Sequence, residues 1–251
     1  MNYIDEINEY RVFCKKYYPY SGSNSFLNDK NNRIFLLHLF QLINLFEIYT
    51  DYDVSDNKHL EQISKMILTI LLDLLLAIPT NNDLFVSICI RQLSEKLLDL
   101  VYSEFCEKDI SQKELLKIQY RFLWENGIQK SIRYKQLAKR DKEYLNQINN
   151  IFKTESDIVH FKNKRSSTAI YLEEIIKTDI KFNQNILKQR INSIHVFCID
   201  LLPRILKIDF NQFSMNQKIE YTNLVNYLKP KPFKNNWVLV KPVEIDGFKN
   251  T

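Results

Sequence analysis

The sequence is short of glycine, with three in 251 residues, and it has only six prolines. Barrels, dinucleotide-binding folds and P-loop enzymes need glycine for positive-φ turns and close backbone approach, so its scarcity argues against all three. Few turn signals fit long helices instead. Cysteine is also sparse: Cys14, Cys89, Cys106 and Cys198 form no close pair. They read as free thiols in a reducing cytoplasm, with no Cys-x-x-Cys or His-x-x-x-His spacing to hold a metal. A membrane-length apolar run is missing too, since the longest stretch, Met66 to Ile78, is too short and contains Asp73. Acidic Asp5, Glu6 and Glu9 stand where a basic secretory leader would be. The expectation is a cytoplasmic chain with no membrane partner, metal or cofactor. No acidic cluster of the Asp-x-Asp kind suggests a metal nuclease or polymerase, the Asp51-Tyr52-Asp53 spacing lying in a polar connection, and neither a nucleophile elbow nor a Gly-rich phosphate loop is present.

Apolar residues, by contrast, make up 45% of the chain, including 16 Phe and 14 Tyr, enough for one bulky core. The net charge of +5 is unevenly spread. Residues 1–120 carry 12 Lys/Arg against 17 Asp/Glu, while 121–165 carry 11 against 5 and 166–251 carry 12 against 8. The positive middle is either an ordinary solvated face or the footprint of a polyanion such as RNA.

Hydrophobic periodicity and caps predict helices over Tyr3–Tyr17, Asn32–Tyr49, Lys58–Ile78 and Leu84–Cys106. A capping box at Ser111 and Glu114 predicts a fifth ending near Gly127, and a sixth spans Ser131–Phe152. Thr154 and Asp157 have capping-box spacing and mark a further start. Helices over Thr168–Thr178, Asn183–Ile208 and Met215–Leu228 follow. After Pro230 and Pro232 the pattern changes to "NNWVLVKPVEI", an extended arm or strand. The architecture expected is all-α: a single helical domain over 1–228 with a C-terminal extended or β appendage over 229–251.

Two segments carry candidate chemistry. In "IRQLSEKLLDL", Ile90 to Leu100, Arg91 interrupts a helix apolar around most of its circumference, and Glu95 one turn on is placed to compensate it. The arginine is either half of a structural pair or a cation aimed at a phosphate. In "SDIVHFKNKR", Ser156 to Arg165, His160 precedes Lys162, Lys164 and Arg165. An imidazole titrates near neutral pH and can move a proton on or off an RNA 2′-hydroxyl, an arginine can stabilise the pentavalent phosphate, and lysines neutralise neighbouring phosphates. The alternative is a surface or satisfied core histidine beside a basic loop. "RINSIH" offers a second pair, Arg190 and His195, in a helix rich in Ile and Leu that favours a structural role. His38 reads as a core histidine and His59 as a surface one.

Together, "RQLSE" at 91–95 followed by "SDIVH" at 156–160 resembles divergent HEPN-like proteins found beside phage-defence and abortive-infection genes. "RINSIH" separately resembles that superfamily's Arg-x4–6-His ribonuclease motif, with Ile191 where active members usually carry a polar residue. The resemblance covers about residues 60–208. It implies a helical bundle, a homodimer, and a metal-independent endoribonuclease acting on RNA in antiviral defence or as a toxin. Arg91 and His160 would then be catalytic with Glu95 orienting the arginine, or alternatively Arg190 and His195. Lys162, Lys164 and Arg165 would bind RNA. Inactive members imply the other reading, a non-catalytic HEPN-like module controlling a partner protein encoded nearby.

Overall fold

A computed structural model describes residues 3–21, 23–29, 32–52, 59–106, 110–161 and 182–227. Among these the chain is all-α, with no strand. The helices are α1 (Tyr3–Tyr17), α2 (Ser23–Asn28), α3 (Arg33–Thr50), α4 (Leu60–Ala77), α5 (Asp83–Phe105) and α6 (Gln112–Leu115). They continue with α7 (Ile132–Gln136), α8 (Lys139–Phe161), α9 (Gln184–Val196), α10 (Leu202–Ile205) and α11 (Met215–Tyr227). The predicted helix over 168–178 and the tail 229–251 lie outside the described residues.

Five helices close a ring of packed pairs. α3 lies on α4, α4 on α5, α5 on α8, α8 on α9 and α9 back on α3, while α1 and α11 cover α3 from outside. Each contributes apolar side chains at helical spacing: Leu39, Leu42 and Phe46 from α3; Ile63, Ile67, Leu71 and Leu74 from α4; Leu145, Ile148 and Phe152 from α8. All are buried. α5 is the most enclosed of the long helices, with Gln92 its single exposed residue.

That enclosure obliges α5 to satisfy its polar side chains locally. Ser94 donates to the Ile90 carbonyl at 3.0 Å and Ser103 to that of Leu100 at 2.9 Å. Asp99 accepts from Lys96 Nζ at 2.6 Å. Burial still pushes the Asp99 carboxyl up to about 6, with Lys96 pulling it back. The helix begins with a cap, the Asn82 side chain accepting from the Phe85 amide at 3.1 Å.

Several predicted boundaries need correction. The capping box is real: Ser111 N–H donates to Glu114 Oε2 at 3.1 Å. It nevertheless starts only one turn, and the chain re-enters the bundle through a π-helical turn over Phe122–Gly127. The segment expected as Ser131–Phe152 breaks after Gln136, and α8 then runs unbroken to Phe161. Thr154 therefore starts nothing; its hydroxyl donates back to the Asn150 carbonyl at 2.9 Å, as a mid-helix threonine does. The Asn183 start is as expected, its side chain accepting from the Ile186 amide at 3.1 Å. The helix then widens into a π turn at Phe197–Leu201 before Pro203, whose ring removes a backbone donor.

Gly127 ends the first π turn against the ring of buried Tyr102. A Cβ there would lie 2.8 Å from Tyr102 Cδ2 and closer still to Cε2. Gly127→Ala is expected to destabilise the fold by about 1–3 kcal/mol through overpacking. Equilibrium urea unfolding checks this, and a midpoint equal to wild type would refute it.

Candidate active site

Arg91 leaves α5 on the side facing α8. Its Nε donates to Ser156 Oγ at 3.1 Å, and its guanidinium carbon lies 5.1 Å from the centre of the Phe152 ring. Ser156 passes the hydrogen bond on, donating to the Phe152 carbonyl at 2.8 Å. Glu95 Oε2 stands 3.5 Å from the outer guanidinium nitrogen. Behind Phe152 the ring of Tyr120 stacks at 4.1 Å, and Tyr120 also bonds Asn149 of α8. The arginine is thus held in place from two helices by a hydrogen bond, an aromatic face and a carboxylate.

The Arg91 and Glu95 side chains are 29% and 35% exposed, because they sit in the seam between α5 and α8 where the core ends. The residues that seat Arg91, Phe152 and Ser156, fall at four-residue spacing, and His160 continues the same stripe. His160 is exposed in the last turn of α8, one turn beyond Ser156. His160 thus stands one helical turn beyond the serine to which Arg91 donates, although the two are separated by 69 positions in the sequence. Lys162, Lys164 and Arg165 lie outside the described residues.

Arg190 and His195 are not brought together. Arg190, on α9, forms an ion pair with Glu155 of α8, whose side chain is wholly buried while that of Arg190 is 16% exposed. His195 is buried against α3, where Nε2 pairs with Gln41 Oε1 at 2.8 Å and its ring stacks on His38 at 4.0 Å. Burial holds His38 down to about 4 and His195 well below its ordinary value. Ile191 between them is core, with no exposed surface. Both members of this pair thus act as interhelical fasteners, in keeping with the structural role their apolar setting favours. His59, expected at the surface, is buried at the start of α4.

Three of the thiols are unsuited to nucleophilic work: burial pushes Cys14 up to about 11, Cys89 up to about 12 and Cys198 well above its ordinary value. No group of three or more metal-ligating side chains occurs among the described residues. No helix of the described residues is long and apolar enough to cross a membrane. No protein-family model matches the chain, and no curated protein or solved structure matches it.

Phe152 is the site residue that sequence reading missed. Its signal is the 152–156–160 stripe, visible only when α8 is read as continuous through Thr154.

Two stability predictions follow from these contrasts. Arg190→Ala should cost about 3–5 kcal/mol, because it leaves a buried carboxylate unpaired. Arg91→Ala should cost less than about 1 kcal/mol, since its pair is solvent-screened. Urea unfolding of both variants checks the difference, and the reverse order would refute it. His38 and His195 make stability depend on pH. Their folded-state values are depressed, so the stability they contribute is complete above the unfolded value near 6.5 and declines as pH falls toward about 4. Asp99, raised to about 6, acts in the opposite sense over part of that window. His38→Phe keeps the stack and removes one proton-binding site from the unfolded chain. Its stability should fall less steeply than wild type between pH 6.5 and 4; parallel curves would refute the assignment.

Proposed function

We propose that the protein binds RNA and cleaves it by metal-independent phosphodiester transfer, with Arg91 and His160 as the acting residues. The observation that carries this reading is the seating of Arg91 on Phe152 and Ser156, one turn from exposed His160. In this reading neutral His160 removes the proton from a ribose 2′-hydroxyl. The 2′-oxygen then attacks phosphorus, forming a new P–O bond as the bond to the 5′-oxygen breaks. The guanidinium stabilises the charge that builds on the equatorial oxygens. The leaving 5′-oxygen takes a proton from the imidazolium or from water. The products are a 2′,3′-cyclic phosphate and a 5′-hydroxyl, and no redox step occurs. Glu95 and Ser156 orient the arginine, and the basic run at 162–165 supplies phosphate contacts. The setting implied by the HEPN-like resemblance is phage defence or a toxin, and a homodimer would place two such sites in one particle.

A non-catalytic module that controls a protein partner is the second reading. It is favoured by the solvent face of α1, where Val12, Phe13 and Tyr17 are exposed.

Single-turnover cleavage of labelled RNA separates the two. His160→Ala should fold as wild type and lose about 10²–10⁴ in rate, and Arg91→Ala should lose rate with little loss of stability. Wild-type cleavage should survive EDTA. Changing Lys162, Lys164 and Arg165 to Gln should weaken RNA binding and flatten its salt dependence. Equal rates for wild type and His160→Ala would overturn the assignment, and absence of cleavage by folded protein would leave the module reading.

A further inference from the structure

A second charged surface lies at the opposite end of α8. At about 1.5 Å per residue, the 23 residues of that helix span about 34 Å, so its first turn is a helix length away from His160. There, a cleft of about 240 Å³ opens between α7, α10 and the end of α5. Phe105, Leu137, Leu201 and Ile205 give it an apolar floor, and Arg133, Gln136, Arg204 and Lys207 form its rim.

The rim cations are arranged outward. Arg133 is backed by Glu104, 3.3 Å away, with the arginine side chain 35% exposed and the glutamate 6%. Arg204 grips Asp141 through two 2.9 Å bonds, with 41% of the arginine and 12% of the aspartate exposed. Arg140 reaches buried Asp200 at 2.9 Å from the same side. The carboxylates thus lie behind the guanidiniums. They fix the cations while presenting little negative charge to solvent, so less freedom is lost when an anion arrives. Lys207 is exposed and forms no ion pair with a described residue. Its backbone is left-handed, φ 54°, in the position after a helix that glycine usually fills. Lys135 and Lys139 stand exposed nearby in sequence and add to the positive field.

A positive rim over an apolar floor suits a ligand that is anionic at one end and flat and apolar at the other. A bare anion would leave the floor wet, and a metal cation would be repelled. We propose that this cleft binds a nucleoside monophosphate group, its phosphate on Arg133 and Lys207 and its base on Phe105 and Leu137. At about 240 Å³ the cleft is too small for two nucleotides, and one would fill it while remaining partly open to solvent. The group is either a free nucleotide or the 5′-terminal nucleotide of an RNA strand. The inference does not rest on the Arg91–His160 reading.

Equilibrium dialysis of the full chain against labelled AMP tests it. Wild type should bind one equivalent saturably, and inorganic phosphate should compete. Lys207→Gln, an exposed change expected to leave the melting temperature unaltered, should weaken binding about tenfold; Arg133→Gln should weaken it at least as much. His160→Ala should bind AMP as wild type does, whatever its effect on cleavage. Competition by a 5′-phosphorylated but not a 5′-hydroxyl oligoribonucleotide identifies an RNA end as the source; competition by neither identifies the free nucleotide. Non-saturable binding, or wild-type affinity in a folded Lys207→Gln variant, would overturn the proposal.

Discussion

Everything in the bundle is arranged around the enclosure of α5. A 23-residue helix with one exposed position has almost no route for a polar side chain to reach water. Its serines turn back onto the helix's own carbonyls, and Asp99 takes Lys96 with it into the interior. Arg91 and Glu95 reach the surface because they fall where α5 meets α8 and the core ends. The same packing that hides the rest of α5 therefore delivers one cation, already oriented, to the flank of a neighbouring helix.

α8 then does two jobs with adjacent residues. Ser156 faces α5 and holds Arg91, while Glu155, about 100° around the helix, faces α9 and holds Arg190. A buried carboxylate without its arginine would be strongly unfavourable, so Arg190 is committed to the fold and has little to offer a substrate. The histidines divide in the same way. His195 and His38 are stacked inside and held neutral, whereas His160 is left at an exposed helix end. Position in the ring of helices, rather than residue type, separates the side chains that hold the bundle from those available for chemistry.

The strongest periodic segments were the most legible in the sequence. α1 has the predicted bounds, and α3, α4 and α5 begin or end within a residue or two of theirs. Short-range capping signals were less reliable because tertiary packing overrode them. Thr154 and Asp157 have cap spacing, yet burial of Ile148, Ile151 and Phe152 carries α8 straight through. Around 112–130 the apolar residues suggest one helix, but Gly127 against Tyr102 and the π turn before it are set by contacts that local pattern does not encode. The meeting of Arg91 with α8 depends on the rotational phase of two helices 65 positions apart. Sequence supplied the two participants and the segment that holds Ser156, but not the phenylalanine on which Arg91 rests.

The length of α8 has a mechanical consequence. It is a stiff rod whose first turn is seated by ion pairs to α10 and to the π turn before it. On an arm of about 34 Å, a tilt of about 2° at one end moves the other by about 1 Å. A misplacement of that size is enough to spoil a reacting geometry. Where His160 stands relative to Arg91 is therefore governed not only by the packing of α8 on α5 but by how firmly the far end of the rod is pinned.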